Sequence, residues 1–162
     1  MYPVRIWAVR HARFFEGVYR IFEPVILKLH PVWNSVGYQR AEKPVRAVEK
    51  LSKGFLFDCK MCGQCILSST GMSCPMNCPK SLRNGPCGGV RANGNCEVKP
   101  EMKCVWVQAW DGSQKMKGGD KIHVVQLPVD HSQKGTSSWL RVARKASEQK
   151  REEEKVSQPL NK

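Results

Sequence analysis

The most distinctive stretch of the chain runs from Cys59 to Cys78 and reads CKMCGQCILSSTGMSCPMNC. It begins with three cysteines that are spaced two residues apart, and it ends with two cysteines that are each followed by proline. Thiolates at this spacing can bind one inorganic centre, and three in a row suit three irons of a cubane cluster whose fourth iron takes a remote cysteine. We therefore predict that all the cysteines are metal ligands: Cys59, Cys62, Cys65, Cys74, Cys78, Cys87, Cys96 and Cys104.

The spacing favours iron–sulfur clusters over zinc. Structural zinc sites more often use separate C-x2-C pairs, two for each ion, whereas this chain has a triple run and two Cys-Pro dipeptides. Eight cysteines make two sets of four, so the sequence predicts two [4Fe–4S] clusters, with zinc as the alternative. A bacterial ferredoxin run places its fourth cysteine three residues further on. Here Cys74 follows Cys65 at a greater distance, and the division of the cysteines between clusters stays open.

Four residues among the cysteines are predicted to contact the clusters, namely Gly63, Arg83, Gly88 and Gly89. The glycines let the backbone approach closely and direct N–H groups at sulfur, which stabilises added electron density. Arg83 lies between two groups of ligands and would stabilise the same charge, with a solvated side chain as the alternative.

The composition limits the class of protein. The chain has 162 residues and a net charge of +13, which fits one domain or a small domain with tails. No apolar stretch is long enough to cross a membrane, and the start lacks the features of a secretory signal. We therefore expect a cytoplasmic location, where cysteines remain reduced. The basic residues are spread along the chain, so we expect an acidic partner and consider nucleic acid unfavoured.

The predicted fold class is small α plus irregular and metal-stapled, with N-terminal helices followed by a loop-rich cysteine-rich cluster domain. Residues 4–37 carry apolar residues at helical spacing, and Glu23-Pro24 is predicted to divide them into two helices. These helices pack on the domain or dock on another subunit, and a membrane-surface helix is a third alternative. Residues 38–58 are predicted to be a connector.

The predicted domain boundaries are 1–54 for the helical docking segment, 55–112 for the cluster domain and 113–162 for the rest. Val105–Trp110 is predicted to be a short helix or strand, and Ile122–Leu127 alternates like a strand. The charged tail from Ser147 is predicted to be a frayed helix or partly disordered.

Motifs of nucleotide binding and catalysis are missing from the sequence. It contains no G-x-G-x-x-G, P-loop, H-E-x-x-H or nucleophile elbow. We therefore expect no flavin or nicotinamide site and predict no catalytic residue on this chain.

Several stretches together resemble the cysteine-rich C-terminal domain of methylenetetrahydrofolate reductase. They are Cys62–Cys65, Thr70–Lys80, Leu82–Gly89, Gly94–Val98 and Cys104–Trp106, and they include Asn84-Gly85-Pro86-Cys87-Gly88-Gly89. The resemblance covers roughly residues 55–112. That module occurs fused to, or encoded beside, a flavin-carrying reductase barrel and is similar to a MetV-like small iron–sulfur subunit.

The resemblance implies a function in one-carbon (tetrahydrofolate) metabolism. This chain would be an electron-transfer subunit of an oxidoreductase, while a flavin-containing methylenetetrahydrofolate reductase barrel subunit would bind the flavin and the folate. The alternative is a zinc-stapled interaction domain that binds an acidic partner or nucleic acid. The positive net charge is the feature that supports this alternative.

Overall fold

The computed structural model describes residues 2–85 and 87–157, and their long regular elements are α-helices. The helices are α1 Tyr2–Arg10, α2 Ala12–Lys28, α3 His30–Val36, α4 Tyr38–Phe57, α5 Val105–Ser113 and α6 Ser138–Ser157. Short 3₁₀ turns lie at Leu67–Ser69, Pro75–Asn77, Gly119–His123 and His131–Gln133. β pairing within the described residues is limited to the isolated bridges Val90–Cys96 and Asn95–Lys103. The predicted combination of helices and irregular structure is therefore confirmed, while metal stapling stays a prediction.

The predicted helix break at Pro24 is wrong. Helix α2 continues through Pro24, and the chain leaves helical geometry at His11 and Leu29 instead. Pro24 lies on the exposed side of α2, where water can satisfy the carbonyl that its missing N–H leaves free. The next helix begins directly after Leu29 because Pro31 occupies its first turn, where a proline needs no N–H donor.

The predicted connector over residues 38–58 is also wrong, because residues Tyr38–Phe57 form α4. The buried face of this helix contains Ala41, Glu49, Lys53 and Phe57. Two of these four residues are charged, so the apolar periodicity that usually reveals a helix is interrupted.

The strand predicted at Ile122–Leu127 does not form. The segment starts within the 3₁₀ turn Gly119–His123 and continues as irregular chain with exposed apolar side chains. The backbone of Gln126 is bonded by a side chain instead of a neighbouring strand: its N–H donates to Asn84 Oδ1 and its carbonyl accepts from Asn84 Nδ2, both at 2.8 Å. The segment beginning at Val105, predicted as helix or strand, is helix α5.

Part of the charged tail is ordered as helix, since residues 147–157 belong to α6. The prediction for residues 158–162 lies outside the described residues. Neither α6 nor any other helix in the described part of the chain is long and apolar enough to cross a membrane.

The N-terminal helices share one core with the cysteine region. Ala8 of α1, Ala12 of α2 and Phe57 of α4 are buried against Met72 and Cys74. Aromatic contacts strengthen this core, because the rings of Phe15 and Phe57 meet edge to face at 5.2 Å between centroids. The inner faces of the first helices thus pack on the domain.

Helix α5 lies in backbone contact with the turn at Gly71. A Cβ atom on Gly71 would overlap the carbonyl oxygen of Ala109, and one on Gly112 would overlap the carbonyl oxygen of Gly71. Gly71 also has φ +56°, which side-chain-bearing residues rarely adopt. The buried Ser73 hydroxyl donates to the Val105 carbonyl at 3.1 Å, so the segment just before Cys74 is held against the start of α5.

A buried ion pair joins α4 to α6. Glu49 is 2% exposed, and its carboxylate accepts a hydrogen bond from Lys53 Nζ at 2.8 Å. The same carboxylate accepts from the hydroxyls of Ser137 and Ser138 at the start of α6. Burial alone would lower the pKa of Lys53, but the nearby Cys65 and Glu49 raise it above its usual value, so Lys53 is held in its charged form.

Replacing Glu49 by alanine tests this junction. We expect Glu49→Ala to reduce the free energy of unfolding by about 3–5 kcal/mol, because Lys53 is left as a buried charge without its partner. Urea denaturation of the anaerobically purified protein, followed by circular dichroism, measures the change.

The matched control is Glu101→Ala, which removes a carboxylate from an exposed position and should alter the free energy by less than about 0.5 kcal/mol. Equal effects of the two substitutions would contradict the structural role of Glu49.

Candidate metal centre

The loop that follows α4 turns sharply three times within a few residues. Asp58, Met61 and Gly63 have φ values of 50°, 48° and 72°, in the left-handed region. The first of these turns ends the helix, because the Asp58 and Cys59 N–H groups donate back to carbonyls of its last turn. These turns lie within and just before the C-x2-C-x2-C run, so the run is coiled instead of extended.

The coiled run forms one wall of a small cavity together with the first Cys-Pro dipeptide. Cys59, Cys62, Cys65 and Cys74 all line this cavity, and Arg83 lies at its edge. Cys74 is buried, Cys59 and Cys62 are half-buried and Cys65 is exposed. The structure thus brings half of the predicted ligands to one place, with two of the predicted contacting residues, Gly63 and Arg83, beside them.

Two of these thiols influence each other. The neighbouring Cys74 thiol lowers the pKa of Cys59, whereas the Cys59 sulfur and burial raise the pKa of Cys74. The Met61 N–H also points at the Cys59 sulfur at 3.4 Å, and the positive charge of Lys53 lowers the Cys59 pKa further. The surroundings of Cys59 therefore favour its thiolate, the form that binds metals.

Arg83 holds an incompletely satisfied guanidinium at this cavity. Its Nη2 donates to the Gln64 carbonyl at 2.8 Å, while its Nε is buried and has no partner among the described residues. A buried donor without a partner is costly, and an anionic group in the cavity would accept from it. The side chain of Arg83 is half-buried at this position.

A C-terminal segment secures the cysteine loop from outside. The Gly135 N–H donates to the Met61 carbonyl at 2.7 Å, and Arg141 Nη1 donates to the Gly63 carbonyl at 3.2 Å. Gly63 has to be glycine because a Cβ atom would overlap the Gln133 carbonyl oxygen. Gln64 donates through Nε2 to the carbonyl oxygen of Asp130 at 2.9 Å.

Sequence reasoning missed this clamp, since Asp130 and Arg141 lie far from the cysteines along the chain. In the sequence, the segment that contains them is marked only by Gly135-Thr136, a turn signal between two charged stretches. A turn signal does not indicate which part of the chain the segment contacts.

The other four cysteines lie on a second group of turns, and the first cavity is lined without them. Cys78, Cys96 and Cys104 are buried and Cys87 is half-buried. Backbone hydrogen bonds connect these turns. The Cys96 N–H donates to the Met102 carbonyl at 2.9 Å, and the Cys104 N–H donates to the Gly94 carbonyl at 3.0 Å.

Residues next to these cysteines also meet. Lys80, two residues after Cys78, forms an ion pair with Glu97, which directly follows Cys96. A Cβ atom on Gly89 would overlap the Glu97 carboxylate, whereas a Cβ atom on Gly88 would meet open space. The polypeptide around Cys78, Cys87 and Cys96 is therefore gathered in one region.

The side chains that could bind a metal ion do not converge on a single point. Within residues 2–85 and 87–157, no three side chains of Cys, His, Asp or Glu approach closely enough to bind one metal ion. The donor set of the first cavity is nevertheless suited to a cluster, since each thiolate of a cubane site binds a different iron. The unpartnered Arg83 Nε adds a donor for an anionic group.

Comparison with known proteins agrees with the resemblance that the cysteine motifs show. The chain matches the family described as "Methylene-tetrahydrofolate reductase C terminal" over residues 38–132, a range wider than 55–112 that begins at the start of α4. No curated protein and no solved structure gives a significant match. Since the match spans more than half of the sequence, the chain belongs to the methylenetetrahydrofolate reductase C-terminal family.

Proposed function

We propose that this chain is an iron–sulfur, electron-transfer subunit of a flavin-dependent methylenetetrahydrofolate reductase. The observation that carries the proposal is the cavity that Cys59, Cys62, Cys65 and Cys74 line beside Arg83. Family membership supports the link to the reductase, and the donor chemistry of the cavity supports the cluster.

The proposal assigns each cluster four cysteines from one region of the fold. The first set is Cys59, Cys62, Cys65 and Cys74, and the second set is Cys78, Cys87, Cys96 and Cys104. A [4Fe–4S] cluster supplies one-electron transfer when it is bound. The division rests on the shared cavity of the first set and on the contacts that gather the turns of the second.

The chain's own residues would set the charge balance at the first site. The Met61 N–H is directed at the Cys59 sulfur, and the cations Lys53 and Arg83 lie beside the thiols. Hydrogen bonds and positive charge near thiolate ligands favour the more negative, reduced state.

The flavin and the folate are proposed to bind to a separate barrel subunit. The family is named for the C-terminal part of the reductase, and the described part of this chain consists of helices and turns without a barrel. Electrons would pass between the clusters of this chain and the flavin of that partner.

Metal analysis tests the cluster assignment. Anaerobic purification is expected to give brown protein with about eight irons and about eight sulfides per chain. Cys62→Ser should remove the signal of one cluster and Cys96→Ser the signal of the other, as measured by iron content and electron paramagnetic resonance.

Ser68→Ala, beside the same loop, is the control and should retain the full iron content. A colourless protein that contains only zinc would overturn the proposal.

Replacing Arg83 tests its role as a charge at the first site. Arg83→Gln should lower the reduction potential of one cluster by roughly 40 mV, which corresponds to a loss of about 1 kcal/mol of screened charge interaction. The potential of the other cluster should not change. A redox titration followed by electron paramagnetic resonance measures both.

Lys115→Gln removes the same charge from an exposed position after α5 and should change neither potential. If Arg83→Gln behaves like this control, Arg83 does not act on a cluster.

A further inference from the structure

An apolar groove opens between α2, α4 and α6 next to the first cysteine loop. Its volume is about 270 Å³, and its walls include Tyr19 and Phe22 of α2, Leu56 of α4 and Trp139 of α6. Cys65 lines both this groove and the cysteine cavity. The groove therefore lies directly against the loop that is proposed to hold the first cluster.

Two of the three helices at the groove, α2 and α4, carry rows of exposed apolar side chains, which we call stripes. On α2, the spacing of three and four residues places Phe14, Val18, Ile21 and Val25 on one side, and they are 47–74% exposed. On α4, the same spacing aligns Val48, Leu51 and Phe55, which are 56–77% exposed. Val18 also lines the groove, so the α2 stripe borders it there, whereas none of the three named α4 residues lines the groove.

These stripes are not needed for the fold. Helix α2 packs inward through another side, which carries residues such as Phe15 and Ile26. A row of exposed apolar side chains along one side of a helix is typical of a binding surface.

The charges beside the groove indicate the chemistry of what binds there. The exposed charged residues of α4 are Arg40, Lys43, Arg46 and Lys50, and all of them are basic. Its two carboxylates face inward, since Glu42 accepts from the Ser137 N–H and Glu49 pairs with Lys53.

Helix α2 repeats this arrangement. Arg13, Arg20 and Lys28 are exposed, while the Glu16 carboxylate accepts from the N–H groups of Lys117 and Gly118. The other carboxylate of α2, Glu23, is half-buried, so the exposed charged residues of this helix are also basic. A ligand of the groove thus meets apolar side chains in the centre and positive charge outside them.

We propose that this groove binds an amphipathic helix of the flavin-carrying partner subunit, with its apolar face inside and acidic residues along its flanks. This inference rests on the proposed function and adds the surface and the chemistry of contact. A helix that lays its apolar side chains in a groove is a common mode of recognition. A second copy of this chain would place basic residues against basic residues, and a flat bilayer does not enter a concave groove.

The test measures binding between the two purified full-length subunits under anaerobic conditions. Val18→Glu on α2 should weaken the complex about tenfold or more, because Val18 lines the groove and the change puts a carboxylate into the apolar contact. Val18 is 47% exposed, so the variant should retain the circular dichroism and iron content of the parent. Val125→Glu is the matched control, since Val125 is 83% exposed and lies outside the groove.

A charge reversal tests the acidic flanks. Lys43→Glu combined with Lys50→Glu should weaken the complex strongly at low salt and much less at high salt. High salt screens the charge interactions of the parent and of the variant alike, so the difference between their affinities becomes small. Equal weakening at both salt concentrations would overturn the acidic-flank part of the inference.

The outcomes separate this inference from the proposed function. If the parent chain binds the flavin subunit and the groove variant binds equally well, the inference about the groove is overturned and the proposed function remains. If the parent chain does not bind the flavin subunit, the proposed function fails and the groove inference fails with it. A dimer in sedimentation experiments, or binding to phosphatidylglycerol vesicles, that Val18→Glu abolishes would also overturn the proposed occupant.

Discussion

Four cysteine sulfurs share one cavity, and negative charge that develops on several of them there would repel. The fold around Cys59, Cys62, Cys65 and Cys74 provides groups that stabilise such charge. A backbone N–H points at the Cys59 sulfur, and Lys53 and Arg83 place positive charge beside the loop. The nearby Cys65 and the buried carboxylate of Glu49 keep Lys53 ionised in the protein interior. The junction between α4 and α6 and the charge balance of the cysteine loop therefore depend on the same ion pair.

This arrangement explains why segments distant in the sequence meet at the loop. Gly135 and Arg141 bond the carbonyls of Met61 and Gly63 from outside, while the core beneath Cys74 is built with Ala8 of α1. A loop with few apolar residues of its own is ordered by neighbours on both sides. Its order in the fold therefore does not come from the cysteines alone.

The sequence predicted those features that short-range patterns encode. The N-terminal helices follow from apolar spacing, and the cysteine motifs led directly to the family. Helix α4 was missed because Glu49 and Lys53 occupy its buried face, and a periodicity of apolar residues cannot reveal a face built on an ion pair. The alternating residues 122–127 find no partner strand within residues 2–85 and 87–157, and Asn84 bonds the backbone of Gln126 instead.

The central claim concerns where the metal lies, and iron-edge diffraction from crystals of the anaerobically purified protein tests it most directly. The account predicts two iron centres in the anomalous difference map. One would lie in the cavity of Cys59, Cys62, Cys65 and Cys74, and the other among the remaining four cysteines. A zinc signal without iron, or a single centre that draws cysteines from both regions, would contradict it.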